Sequence, residues 1–362
     1  MKRIDSKEGL FSIKVEEPSR KVFSKAKERF DRIAKPLDGL GDFETLIARI
    51  AAIEGSIEIR TEKRAAVIMC ADNGIVDEGI SQSGKEITLS VAEALGSGIS
   101  TACTLGRSCN VDIIPVDIGI DSDKKIPGVM DRKVSRGTEN FLNKPAMSEE
   151  ETLKAVNTGI EIVRDLKDRG FNMLALGEMG IGNTTTATAV LSGVLKQDPF
   201  EITGRGAGID DKGLLRKKEV IKKALDLYDT DSIKDEKERA FKILSSVGGL
   251  DIAGLTGVII GGALENIPVV LDGLITSAAA VMAETMVPGV KGFMIASHKG
   301  REGGNIIALD HLGLCPFING NMALGEGTGA IMFFKLIDAA ADFYRNAGSF
   351  DDYKIEEYTR FN

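Results

Sequence analysis

The chain has 362 residues, 43% hydrophobic and 28% charged, with a formal net charge of −8, no tryptophan and two histidines. That length fits a large domain with an appendage, or two domains, and can bury a sizeable core without disulfide or metal staples. The acidic balance argues against nucleic-acid or membrane-surface binding, which needs basic stripes, and two histidines leave little for a zinc site or a Ser-His-Asp triad.

Residues 1–60 are charged and helical in pattern. Met1 to Glu8 hold no apolar signal core. Apolar spacing near 3.6 runs from Ser24 to Arg32 and from Phe43 to Ile53, with Lys35-Pro36 ending the first helix and Gly39 and Gly41 marking the loop. Strands then alternate with helices. Ala65–Ala71, Val111–Asp117, Met173–Gly177, Ile267–Asp272 and Gly292–Ser297 are short apolar runs of the kind buried on both faces of a parallel sheet. Glu149 to Asp168, Asp211 to Tyr228 and Thr276 to Met286 are helical patterns between them. Asp229 to Lys237 is a charge run and reads as a solvated loop. Ala330 to Tyr344 is amphipathic and should pack back on the N-terminal helices. The expected architecture is α/β: a parallel sheet of Rossmann-like connectivity flanked by helices in a large domain, 61–330. A small helical domain is formed by 1–60 with 331–362. Gly and Asp interrupt the apolar stretches, so no membrane span is expected. The cysteines at 70, 103, 109 and 315 form no CxxC pair. They read as reduced structural thiols of a cytoplasmic protein.

In such sheets ligands bind outside the carboxyl ends of the strands. Ala71-Asp72-Asn73-Gly74, Gly177-Glu178-Met179-Gly180 and Ser297-His298 should therefore share a crevice. Gly180-Ile181-Gly182-Asn183-Thr184 opens a helix after a strand, where N–H groups and hydroxyls suit a phosphate. The third glycine of a dinucleotide fingerprint is missing, and no Gly-Lys-Ser/Thr ending makes a P-loop. Gly204-Arg205-Gly206-Ala207-Gly208 leads into a helix carrying Lys217, and both cations can offset an anionic ligand. In Leu324-Gly325-Glu326-Gly327-Thr328-Gly329 a carboxylate is flanked by glycines. Partial desolvation would raise its pKa and suit it to general-base work. Each segment alone reads about equally well as an ordinary turn. Acids at 72, 77 and 78 follow a strand, but their spacing matches no metal loop. His298 and His311 read as surface or hydrogen-bonded residues.

Taken in order, the segments resemble the nicotinate-nucleotide–dimethylbenzimidazole phosphoribosyltransferase family. The resemblance begins at Lys35-Pro36, Leu40-Gly41 and Glu44. It continues through Asp72-x-Gly74, Glu78-Gly79-x-Ser81, Arg136-Gly137-Thr138-x-Asn140, Gly177 to Thr185, Gly204-Arg205-Gly206 and Gly248-Gly249. Pro268-Val269-Val270-x-Asp272-Gly273, Ser277-Ala278-Ala279, Ser297-His298 and Leu324 to Gly329 complete it. It implies transfer of the phosphoribosyl group of nicotinate mononucleotide to a lower-ligand base, in assembly of the cobamide nucleotide loop, by a homodimer without metal or organic cofactor. Glu326 matches the catalytic glutamate. Glu178, Gly180, Gly182, Asn183, Thr184, Arg205, Lys217 and Ser297 match substrate positions, and Asp72, Ser81, Ser83, Lys85 and Leu324 the base pocket. A non-catalytic nucleotide- or base-binding protein on the same fold would keep the glycine cradle and lose Glu326. One segment departs from the family. An aromatic and Pro-Gln-Glu commonly follow Ser81, whereas this chain has Gln82-Ser83-Gly84-Lys85, and the usual Asp-His is Asp72-Asn73. The departure implies a different preferred base: another benzimidazole, a purine or a phenol.

Overall fold

The computed structural model describes residues 4–360, so the outermost residues of the expected terminal segments lie outside it. Its strands are β1 (Arg64–Ala71), β2 (Asp112–Gly119), β3 (Met130–Asp131), β4 (Met173–Met179), β5 (Val269–Leu271), β6 (Met294–Ala296), β7 (His298–Gly300) and β8 (Ile318–Met322). Six form one sheet in the order β3-β2-β1-β4-β5-β6, with every neighbouring pair parallel. The five strands expected from apolar runs are all there. β3, β7 and β8 were not expected, because they are short or polar. The winding direction reverses between β1 and β4, and the loops after these two strands face each other there.

Side chains alternate faces along a strand, and this splits the core in two. Val67, Met69, Leu174, Leu176, Val269 and Leu271 face the helices Glu149–Asp168, Asn183–Leu195, Glu236–Val247, Leu250–Leu264 and Leu274–Met286. Ala66, Ile68, Cys70, Met173, Ala175, Val270 and Ile295 face the helices Arg20–Asp31, Asp42–Glu54, Glu86–Gly96, Thr101–Cys109 and Thr328–Asn346. The terminal helices therefore share one core with the second sheet face. They also hold each other. The Phe30 and Tyr344 rings lie 4.9 Å apart, and Ile33 bridges to Ser349. Buried Glu44 pairs with Lys27 at 3.2 Å and Lys35 at 2.7 Å and accepts the Leu40 N–H at 3.0 Å.

Helix ends follow local capping. Ser148 and Glu151 form a reciprocal capping box at the start of Glu149–Asp168, and Asp210 accepts from Gly213 N at 2.7 Å. Asp229 to Lys237 is not simply a loop. Asp235 accepts from Lys237 N and Glu238 N, each at 3.0 Å, and starts the helix Glu236–Val247. No described helix is long and apolar enough to cross a membrane.

The helix Leu250–Leu264 is buried on nearly every side. It fits because glycines bring it against the backbone of Glu149–Asp168. A Cβ at Gly257 would lie 1.9 Å from Val156 O, and one at Gly159 would lie 2.1 Å from Gly254 O. Backbone cannot rotate aside as a side chain can, so bulk here must push the helices apart. Gly257→Val should destabilise the fold by about 3 kcal/mol or more, measured by denaturant unfolding. An unchanged midpoint would mean the helices do not meet at this distance.

Candidate active site

The carboxyl ends of β4 and β5 open into a cleft of about 250 Å³. Glu178, Gly180, Asn183 and Thr184 line it from the β4 loop. Asp272 and Gly273 line it after β5, His298 and Glu302 after β6, and Leu324 to Glu326 from the glycine-rich turn.

That turn is set by backbone constraints. Gly325, Glu326 and Gly327 all have positive φ, at 91°, 54° and 73°. For glutamate this is a strained conformation that its surroundings must impose. The surroundings are close. A Cβ at Gly327 would lie 2.8 Å from Leu176 O, and one at Gly177 would lie 2.9 Å from Gly327 N. The helix Thr328–Asn346 begins directly after the turn. Its first-turn N–H groups are taken by Asp272, whose Oδ1 accepts from Gly329 N at 2.8 Å and Ala330 N at 3.1 Å. Gly329 has no side chain because His298 Nδ1 would stand 2.2 Å from its Cβ. The imidazole is buried and hydrogen-bonded to Ser297 Oγ at 2.9 Å.

So held, the half-exposed Glu326 carboxylate reaches the start of the helix Thr101–Cys109. It accepts from Thr101 Oγ1 at 2.7 Å and from Ala102 N at 3.1 Å. A carboxylate offers about four acceptor positions, so two remain for a proton or a ligand. The contacts orient the group and do not exhaust it.

A largely buried polar cluster runs from the cleft wall inward to Asp251. The Asn183 amide donates to Glu178 Oε2 and to Asp251 Oδ2, the latter at 3.1 Å. Burial pushes the Glu178 carboxyl up to about 8; Asn183 opposes this, and the charges of Asp251, Asp272 and Glu326 add to it. Burial likewise pushes Asp251 up to about 6 and raises Asp272, where His298 opposes. On the other side of Thr184 stands the buried Lys217, whose ammonium donates to Thr184 Oγ1 at 2.8 Å. Burial pulls it down to about 8, against the charge of Glu302. Gly180 and Gly182 shape the loop. A Cβ at Gly180 would lie 2.4 Å from Ala71 O, and Gly182 has φ 90° before the helix Asn183–Leu195.

The structure thus brings Glu178, Gly180, Asn183, Thr184, Leu324 and Glu326 together in the cleft wall, with Gly182 and Lys217 directly behind it. Other expected residues stand elsewhere. Arg205 turns away, donating to Ile209 O at 3.0 Å and to Asp211, so it staples its own loop. Ser297 is buried and donates to Leu271 O at 2.6 Å, so it touches the cleft only through His298. Asp72 is buried, and its Oδ2 accepts from Asp121 N at 2.8 Å. Ser81, Ser83 and Lys85 do not line the cleft. Ser83 N turns back to Ser81 Oγ at 3.2 Å, Gln82 donates to Gly208 O, and Lys85 pairs with Asp77 at 3.1 Å. Glu78 is held by Asn140 at 2.7 Å, so the three acids after β1 point to separate partners. His311 is exposed. Sequence reasoning missed Asp251, Glu302 and Thr101, and it placed Ser297-His298 at the crevice, where His298 does line the cleft. An acid two residues after Gly248-Gly249 was the available signal for Asp251. Nothing local marks Thr101 or Glu302.

A phosphoribosyltransferase family model matches residues 15–355. The chain is 41% identical over 344 residues to the nicotinate-nucleotide–dimethylbenzimidazole phosphoribosyltransferase of Ruminiclostridium cellulolyticum, covering 95% of this chain and 96% of that one. It is 42% identical over 330 residues to the enzyme of the same name from Acetivibrio thermocellus, covering 91% and 93%. Among solved structures, CobT from Thermus thermophilus superposes with a TM-score of 0.87 at 32% identity, over 93% of this chain and 100% of that one.

The raised Glu178 carboxyl carries a stability consequence. Its proton is held more tightly in the folded than in the unfolded chain. The contribution therefore favours folding below the ordinary glutamate range and is lost as pH rises through about 8. Glu178→Gln should flatten the fall in melting temperature between about pH 5 and pH 8 and melt no lower than the parent at the upper end. A variant with the parental slope would show that Glu178 ionises normally.

Proposed function

The chain belongs to the nicotinate-nucleotide–dimethylbenzimidazole phosphoribosyltransferase family, and on that premise we propose how its cleft transfers a phosphoribosyl group from nicotinate mononucleotide to a lower-ligand base. The donor phosphate sits at Gly180 to Thr184, where the start of the helix Asn183–Leu195 and the Lys217 ammonium supply positive charge. The ribose then extends toward Glu178 and Glu326.

The incoming base attacks the anomeric carbon through a ring nitrogen. The bond from that carbon to the pyridinium nitrogen breaks, its electron pair returns to the ring, and nicotinate leaves neutral at nitrogen. The base now carries one proton too many, and Glu326 takes it. With a phenol, Glu326 takes the O–H proton and an O-glycoside forms. Holding donor and base in line supplies much of the rate. Before the donor binds, burial keeps Glu178 largely protonated at neutral pH. The cationic pyridinium favours its ionised form, so donor binding releases a proton and leaves a carboxylate beside the positive charge. The same family reading makes the enzyme a cytoplasmic homodimer that needs no metal or organic cofactor.

The observation that carries this reading is Glu326, held in a strained turn by Gly177 and Asp272 with free acceptor positions toward the cleft. Glu326→Gln should lower kcat by about 10²- to 10⁴-fold, with KM for nicotinate mononucleotide changed only a few fold. Nicotinate release measures it, and near-parental turnover would remove Glu326 as the base. We further infer that Ser83-Gly84-Lys85 shifts base preference. The Gln82 contact to Gly208 supports this by tying the segment to the loop over the donor phosphate. Mixed benzimidazoles, purines and phenols offered together, with products read by mass spectrometry, should favour a base other than 5,6-dimethylbenzimidazole. Clean selection of that base would count against the inference.

A further inference from the structure

The Gly204-Arg205-Gly206 turn reads from sequence as a phosphate loop with a basic residue. Its geometry assigns the two glycines to different neighbours. A Cβ at Gly204 would fall 1.6 Å from Glu302 Oε2. A Cβ at Gly206, where φ is +54°, would fall 2.7 Å from Thr184 Oγ1 and 3.4 Å from Lys217 Nζ. The first glycine makes room for a carboxylate and the second for the phosphate subsite itself.

Glu302 reaches this turn from the far side of the cleft. It precedes the helix Gly303–Leu312, yet its side chain makes no capping bond there. Oε1 instead accepts from Gly206 N at 3.0 Å, and Oε2 is buried without a hydrogen-bond partner. A carboxylate beside a phosphate subsite repels the ligand, and a buried oxygen without a donor costs free energy. Both costs make sense if the group does work on the turn.

We propose that Glu302 is a positioning residue of the phosphate subsite, its carboxylate holding the Gly204–Gly206 turn closed over Thr184 and Lys217. Beyond the bond from Gln82 to Gly208 O further along the loop, the turn has little else to hold it there. Arg205 bonds within its own loop, and glycine gives the backbone wide freedom. The charge of Glu302 also favours the ammonium form of Lys217 against the burial that opposes it. The proposal rests on the reading that the donor phosphate sits at Gly180 to Thr184 and Lys217.

Steady-state kinetics with nicotinate mononucleotide on five homogeneous proteins tests it: the parent, Lys217→Met, Glu302→Ala, Glu302→Asp and Glu302→Gln. Lys217→Met should raise KM at least about tenfold, which tests the placement of the phosphate. Glu302→Ala loses the acceptor, and Glu302→Asp keeps the charge but falls one methylene short. Both should raise KM about tenfold with kcat within a few fold and melting temperature little changed. Glu302→Gln keeps an acceptor for Gly206 N and should recover most of the loss. Should Glu302→Ala fail to fold, Glu302→Asp decides. An unchanged KM in the Glu302 variants alongside a raised KM in Lys217→Met overturns the proposal and leaves the phosphate reading standing. A parental KM in Lys217→Met overturns both.

Discussion

The cleft depends on one anchored helix start. Asp272, at the end of β5, takes the N–H groups of Gly329 and Ala330 and so fixes where the helix Thr328–Asn346 begins. The preceding residues then have no freedom. They must pass between Leu176 O and the cleft, and only consecutive left-handed residues make that passage. Glu326 is the one non-glycine in the turn and carries its strain. Strain of this kind, on the order of 1–3 kcal/mol, persists where the surrounding packing over-determines it. Here Gly177 and Gly329 admit the turn from two sides, and His298 closes behind it.

A second constraint is the concentration of carboxyl groups at the sheet's carboxyl edge. Asp251 and Asp272 are buried and Glu178 is half-buried near them, with the Asn183 amide shared between Glu178 and Asp251. Several full negative charges cannot coexist so close in a poorly solvated site. Burial therefore favours the protonated form of each, and the wall is less negative than its composition. A cationic ligand reverses that balance locally. An anionic group is served on the opposite side, by Lys217 and the helix start at Asn183, so the cleft is electrically divided along its length.

Much of the fold was legible in the sequence. The apolar runs at 65–71 and 173–177 lie at the sheet centre, as buried parallel strands do. The helices Glu149–Asp168 and Asp211–Tyr228 begin and end where their periodicity and caps say. Leu250–Leu264 escaped because a helix buried all round has no polar face to set a period, and its glycines read as breaks. β7 and β8 escaped because they are short and polar. Arg205 was placed by the chemistry of its charge and Lys85 by the family resemblance, but each found a nearer acid, Asp211 and Asp77.

The sequence by itself determined the order of the elements, the family they belong to and the identity of Glu326 as the acid in a glycine-rich turn. These are properties of local pattern and composition, and they survive without knowing what touches what. Only the tertiary structure decided the partners. Thr101 and Ala102 meet Glu326 across 225 and 224 residues of chain, and Glu302 meets Gly206 across 96. Contacts of that separation leave no spacing rule to read. They arise where remote loops meet at the sheet's carboxyl edge.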